Sequence, residues 1–121
     1  MGMNNQSFTA SWNEQTALAN VDGCVSHLKE LLEIWLRQTP KLVSDIKKGL
    51  AEGDSDRIHL AAHTMKGSLQ IIGADAAALL TESLEIAGRT AKISEGSELL
   101  NQLVSELSDV TAKVTAFIDR Q

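Results

Sequence analysis

The chain is 121 residues long, 43% hydrophobic and 22% charged, with a formal net charge of −5. This length suits one domain with a single core. The acidic balance argues against a nucleic-acid partner, which a basic stripe would indicate. No apolar run approaches the roughly 20 residues that span a bilayer, and no signal peptide is visible, so we expect no membrane insertion. The single cysteine, Cys24, excludes an intramolecular disulfide and favours a cytoplasmic location.

The first half of the chain predicts two helices. Residues 1–11 are interpreted as a flexible leader or cloning remnant, so the domain is expected to span residues 12–121. A short helix is predicted from Trp12 to about Asn20. Asp22 or Gly23 then opens a longer helix that ends at Gly53. Within that helix, Pro40 predicts a kink or break because proline lacks a backbone donor and restricts the residue before it.

Three more helices follow, joined by short connections. Asp54 or Ser55 is predicted to cap a helix that ends near Gly73. The next runs from Asp75 to about Thr90, and Ser94 or Ser97 begins the last. Short connections between long amphipathic helices force neighbours to be antiparallel. The predicted fold is therefore all-α, an antiparallel up-down four-helix bundle with a short extra N-terminal helix.

One histidine stands out in the third of these helices. The apolar residues Ile58, Ala61, Ala62, Met65, Leu69 and Ile72 recur with helical spacing, and His63 falls just off the edge of that face. Lys66 and Gly67 lie about one turn from His63. A neutral imidazole has one unprotonated nitrogen that can attack phosphorus, and a nearby cation stabilises the developing negative charge. Gly67 uncovers His63, because a longer side chain there would lean over it.

The run Ala62-His63-Thr64-Met65-Lys66-Gly67-Ser68, followed by Gly73-Ala74 and Leu84-Glu85, resembles the histidine phosphotransfer (HPt) domains of bacterial multistep phosphorelays. The resemblance extends over nearly the whole chain from Trp12. It implies that His63 accepts a phosphoryl group from a receiver-domain aspartate and passes it to another receiver. It also implies a phosphocarrier, not an enzyme, with no ATP site and no cofactor of its own, while Mg²⁺ is expected in the partner receiver.

The resemblance also assigns supporting roles. Glu85 occupies the position of a side chain that bonds the second ring nitrogen, which would hold the Nδ1–H tautomer and leave Nε2 as nucleophile. Gln70 departs from the family, which usually has small residues just after Lys-Gly-Ser. Because it lies two turns from His63 on the same exposed side, it is a candidate partner contact. The docking surface would be bordered by residues of the second helix such as Leu36 or Val43, and the protein is expected to be a monomer.

Other interpretations stay open. The dimerisation and phosphoacceptor domain of a histidine kinase is one, although Thr64 and Met65 stand where that domain usually has an acidic residue and a proline. A non-catalytic helical scaffold is another. His59 and His63, one turn apart, could ligate a metal, but no third ligand is evident and none is predicted. Glu85 could instead be a surface partner of Arg89, and Lys66 could be a solvated charge.

Overall fold

The computed structural model of the protein describes residues 11–90 and 92–121, which form five α-helices. They are α1 (Glu14–Ala19), α2 (Val25–Glu52), α3 (Ser55–Ile72), α4 (Asp75–Arg89) and α5 (Gly96–Arg120), with a 3₁₀ turn at Ile93–Glu95 before α5. The predicted leader lies outside the described residues except for Ser11, which is buried. None of the described helices is long and apolar enough to cross a membrane.

The four long helices close into a ring around one core. The helix α3 packs against both α2 and α4, and α5 completes the ring by packing against α4 and α2. Each helix turns one apolar stripe inward, and the stripe of α5 (Leu100, Leu103, Leu107, Val110, Val114 and Phe117) is buried throughout. Burial of these stripes stabilises the bundle, since a short amphipathic helix is marginal alone in water. The all-α, four-helix prediction is confirmed.

The turns on either side of α3 form where the sequence places them. Gly53 and Gly73 end α2 and α3 with φ of 67° and 83°, a left-handed conformation that glycine adopts without steric cost. The side chain of Asp54 accepts a hydrogen bond from the Arg57 amide at 3.1 Å. These caps fix both ends of the helix that carries His63.

The start of α2 differs from the prediction. Neither Asp22 nor Gly23 opens the helix: both have positive φ, 53° and 77°, and belong to the turn after α1. The Gly23 amide donates to the Leu18 carbonyl at 2.8 Å, which ties that turn back to α1. The helix begins at Val25, with Cys24 as its N-terminal cap.

Of the kink or break predicted at Pro40, the break does not occur, because α2 continues through Pro40 as one helix. Pro40 cannot donate to the carbonyl four residues earlier, a loss that costs roughly 3 kcal/mol. Trp35 and Thr39 before it and Ile46 after it are all buried on the same core. A break would expose one of these sets, so the packing on both sides outweighs the local cost.

The short helix α1 closes the end of the bundle where α3 meets α4. The Trp12 indole donates to the Ile72 carbonyl at 2.6 Å, and its ring meets Phe117 edge-on with centroids 5.6 Å apart. Asn20 donates to the Ile71 carbonyl at 2.9 Å. At the opposite end, α5 begins at Gly96, between the two predicted serines, where Leu50 leaves little room for a side chain.

Candidate functional site

His63 lies on the outward edge of α3, as its spacing predicts. All six residues of the apolar stripe beside it are buried, whereas the His63 side chain is 62% exposed. The stripe holds α3 against its neighbours and thereby fixes where the imidazole projects. An exposed ring on a rigid, capped helix is accessible to another protein without any rearrangement of the core.

Glu85 of α4 reaches His63 across the helix pair. Its side chain is only 8% exposed, and its Oε2 lies 2.9 Å from His63 Nδ1. A carboxylate accepts at this distance, so the neutral tautomer that fits carries its proton on Nδ1. The unprotonated Nε2 then points away from Glu85. The interpretation of Glu85 as a surface partner of Arg89 is not what the structure shows.

Lys66 binds the other oxygen of the same carboxylate. Its Nζ lies 2.8 Å from Glu85 Oε1, and its side chain is 21% exposed, so it is not a freely solvated charge. The Lys66 ammonium is the main cause that lowers the pKa of Glu85, while burial opposes the shift and His63 adds to it. Glu85 is thus held ionised between an ammonium and an imidazole.

Gly67 and Gln70 complete the set of predicted residues, at different places. Gly67 is half-buried, and a Cβ built on it would meet no atom within 4 Å. Gln70 is exposed and lines a groove between α3 and α4 together with Lys66 and Leu79. Gly67 therefore faces open space, and Gln70 borders the site without a described contact to His63.

The apolar border of His63 differs from the one expected. Leu36 and Val43 line a groove between α2 and α5 instead. The most exposed large apolar side chains near His63 are Leu60, one turn before it on α3, and Leu79, which shares the groove with Lys66; they are 66% and 65% exposed. From α2, Leu42 is the apolar residue that shares a groove with Leu60 and Thr64 of α3.

His59 lies next to the cluster formed by His63, Lys66 and Glu85. From the sequence it was considered only as a possible metal ligand. Its ring stacks on that of His63 with centroids 6.1 Å and planes 20° apart. Its Nδ1 is buried, has no hydrogen-bond partner among the described residues and lies 4.0 Å from Glu85 Oε2. The signal in the sequence that could have placed His59 beside His63 was its spacing, four residues earlier on the same helix. Within residues 11–90 and 92–121, no three His, Cys, Asp or Glu side chains are grouped to hold a metal ion.

Comparisons with known proteins identify the family of the chain. The family model described as Hpt domain matches residues 30–113. No curated protein gives a significant match. Among solved structures, histidine-containing phosphotransfer protein B (HptB) from Pseudomonas aeruginosa PAO1 is similar, with 18% identity, a TM-score of 0.86, and coverage of 92% of this chain and 96% of that one.

The Hpt domain of an Hpt sensor hybrid histidine kinase from Shewanella is also similar, with 18% identity, a TM-score of 0.83, and coverage of 93% and 97%. At this identity the two likenesses show the fold. The family match spans most of the chain and contains both the His63 helix and Glu85. The chain therefore belongs to the Hpt domain family and is a histidine phosphotransfer module of phosphorelays.

Proposed function

We propose that His63 is the phosphoacceptor of this module, taking a phosphoryl group from the aspartate of one receiver domain and passing it to another. The observation that carries the assignment is the combination of exposure and orientation. His63 is 62% exposed, yet its Nδ1 is bound at 2.9 Å to a buried carboxylate. Of the three histidines in the chain, His27 has no comparable contact among the described residues, and His59 Nδ1 is 4.0 Å from Glu85.

The chemistry follows from that orientation. The Nε2 lone pair attacks the phosphorus of the aspartyl phosphate, and the bond from phosphorus to the aspartate oxygen breaks, leaving its electron pair on the aspartate carboxylate. His63 becomes a phosphorylated imidazolium, whose Nδ1–H donates to Glu85. The carboxylate stabilises the positive charge that forms on the ring, as in other base–carboxylate pairs. Onward transfer reverses these bond changes with a second receiver.

The neighbouring residues would assist this transfer. Lys66 contributes a positive charge next to the phosphoryl oxygens while it holds Glu85. Gly67 leaves space on the approach to His63, and Gln70 would touch the docked receiver. Leu60 and Leu79 would supply apolar contact on either side.

We further propose that the module works as a cytoplasmic monomer that depends on its receiver partners for the phosphoryl group. It acts as a phosphocarrier without an ATP site or cofactor of its own, since the receiver brings the phosphoryl group and the Mg²⁺. It works as a monomer, because its four helices close a core within one chain. A kinase dimerisation domain would instead supply a helical hairpin to a dimer. The exposed free thiol of Cys24 fits a reducing compartment, and we place the protein in the cytoplasm.

The test is transfer from a phosphorylated receiver to the wild-type protein and to His63→Gln, with His27→Gln as the matched control. We expect acid-labile label on the wild type and on His27→Gln, and none on His63→Gln. Circular dichroism should show equal helix content in all three, because both histidines are outside the core. Label retained at the wild-type level on His63→Gln would contradict the assignment.

A further inference from the structure

The charges around His63 balance before transfer and do not balance afterwards. Lys66 is paired with Glu85 at 2.8 Å, so one positive and one negative charge offset each other while His63 is neutral. Transfer adds a PO₃⁻ unit to His63, and Nδ1 keeps its proton. The site then carries one net negative charge, because the positive charge of Lys66 is already balanced by the negative charge of Glu85. Burial of Glu85 makes such an imbalance costlier than at an open surface.

His59 is the group placed to correct that imbalance. Its Nδ1 is buried, lacks a partner within the described part of the chain and lies 4.0 Å from Glu85 Oε2, the oxygen that already accepts from His63. A buried polar nitrogen without a hydrogen bond is unfavourable, and donation from Nδ1–H to the carboxylate removes that cost. The imidazolium form of His59 is a stronger donor to a carboxylate than the neutral ring. A displacement of about 1 Å would bring the two atoms into hydrogen-bond range.

The ring geometry directs the charge of His59 toward the phosphoryl group. The two rings lie 20° from parallel, and both Nδ1 atoms converge on one oxygen of Glu85. Each Nε2, across its ring from Nδ1, is therefore directed away from Glu85. A phosphoryl group on His63 Nε2 would stand beside His59, whose side chain is 38% exposed and can exchange a proton with solvent.

We propose that His59 is a positioning residue that takes up a proton from solvent when His63 is phosphorylated, donating through Nδ1 to Glu85 and offsetting the added phosphoryl charge. This inference rests on the proposed role of His63. Within the described residues, the ionisable side chains that face His59 are Glu85 of α4 and His63 of its own helix. Lys66 acts on it through Glu85.

The charged side chains between α3 and α2 pair with one another and not with the residues around His63. Arg57 lies 3.7 Å from Asp45 and 3.4 Å from Glu52, and Lys41 lies 3.5 Å from Asp45. Two cations thus meet two anions there.

The size of the effect follows from the ring separation. At about the 6.1 Å that separates the ring centroids, two unit charges shift a titration midpoint by about half a pH unit at the dielectric of water and by about two units at the effective dielectric near a protein surface. Because both side chains are partly exposed, we expect an intermediate shift of about one unit. Linkage requires the reciprocal effect. Lowering the pH through the range where His59 titrates should favour phosphorylated His63 by up to about tenfold.

The direct experiment is an NMR titration of the ring signals of the free protein and of the protein phosphorylated on His63 with phosphoramidate. We expect the His59 midpoint to rise by about one unit on phosphorylation, whereas that of His27, in the first turn of α2, stays in place. An unchanged His59 midpoint with His63 phosphorylated overturns this inference alone. Failure of His63 to take a phosphoryl group from either phosphoramidate or a receiver overturns the proposed function with it.

Variants test the same point through the transfer equilibrium. His59→Asn retains an amide donor near the place of Nδ1 but cannot titrate, and His59→Phe retains the stacked ring without a donor. The quantity to measure is the ratio of phosphorylated to unphosphorylated His63 at equilibrium with a single receiver. Between pH 6 and pH 8 this ratio should change by up to about tenfold more for the wild type than for His59→Asn. His27→Asn should behave as the wild type. An equal change in wild type and His59→Asn would contradict proton uptake by His59.

Discussion

Replacing Gly67 by alanine should separate stability from activity at a single position. Glycine inside a helix costs roughly 0.5–1 kcal/mol relative to alanine. A Cβ on Gly67 would meet no atom within 4 Å, so no clash reduces that gain. For a domain of this size a gain of about 1 kcal/mol raises Tm by roughly 3–6 °C. We therefore expect Gly67→Ala to be more stable than the wild type.

Transfer should change in the opposite direction, because the open space at Gly67 adjoins the approach to His63. The receiver must bring its aspartyl phosphate in line with Nε2, and a displacement on the order of 1 Å costs about 100-fold in rate. Gly67→Ala should transfer more slowly than the wild type. Gly67→Gln, whose side chain extends farther, should be slower still and approach that factor.

The assay pairs a thermal melt with single-turnover transfer from a phosphorylated receiver. Ser105→Ala, on the exposed side of α5, is the control for added helix stability and should not alter transfer. A stabilised Gly67→Ala that transfers as fast as the wild type would refute the access argument.

Three further outcomes follow from the carboxylate that joins the two helices. Lys66→Ala should slow single-turnover transfer by about 10- to 1000-fold and lower the free energy of unfolding by about 1–3 kcal/mol, because Glu85 loses its charged partner; an unchanged rate would mean that Lys66 is only structural. Glu85→Gln should lose stability at neutral pH. Since Lys66 holds the pKa of Glu85 below its ordinary value of about 4.5, the difference from wild type in denaturant melts should shrink as pH falls below that value; a difference constant from pH 7 to pH 3 would count against it. Nitrogen NMR of unphosphorylated His63 should show the Nδ1–H tautomer, and Glu85→Ala should mix the two tautomers; an Nε2–H wild type would be inconsistent with the site.

Much of this protein is encoded locally in its sequence. The apolar stripe beside His63 and the spacing to Lys66 and Gly67 lie within a few turns of one helix. Gly53 and Gly73 end helices and Asp54 caps the start of one, and each does so through the backbone of residues close to it in the chain. Such features depend on the 3.6-residue period and on backbone conformation, which are the same in any tertiary context. The fold class and the outward position of His63 were therefore predictable.

What only the tertiary structure decided depends on contacts between helices that are distant along the chain. The register of α4 against α3 buries Glu85 and brings it to both His63 and Lys66, where sequence alone left it equally suited to pairing with Arg89. The same register places His59 Nδ1 near that carboxylate. Packing on both sides of Pro40 keeps α2 continuous, since burial of side chains along its whole length outweighs the loss of one backbone hydrogen bond. A pattern of apolar residues specifies which face is buried, but not how far two buried faces slide along each other.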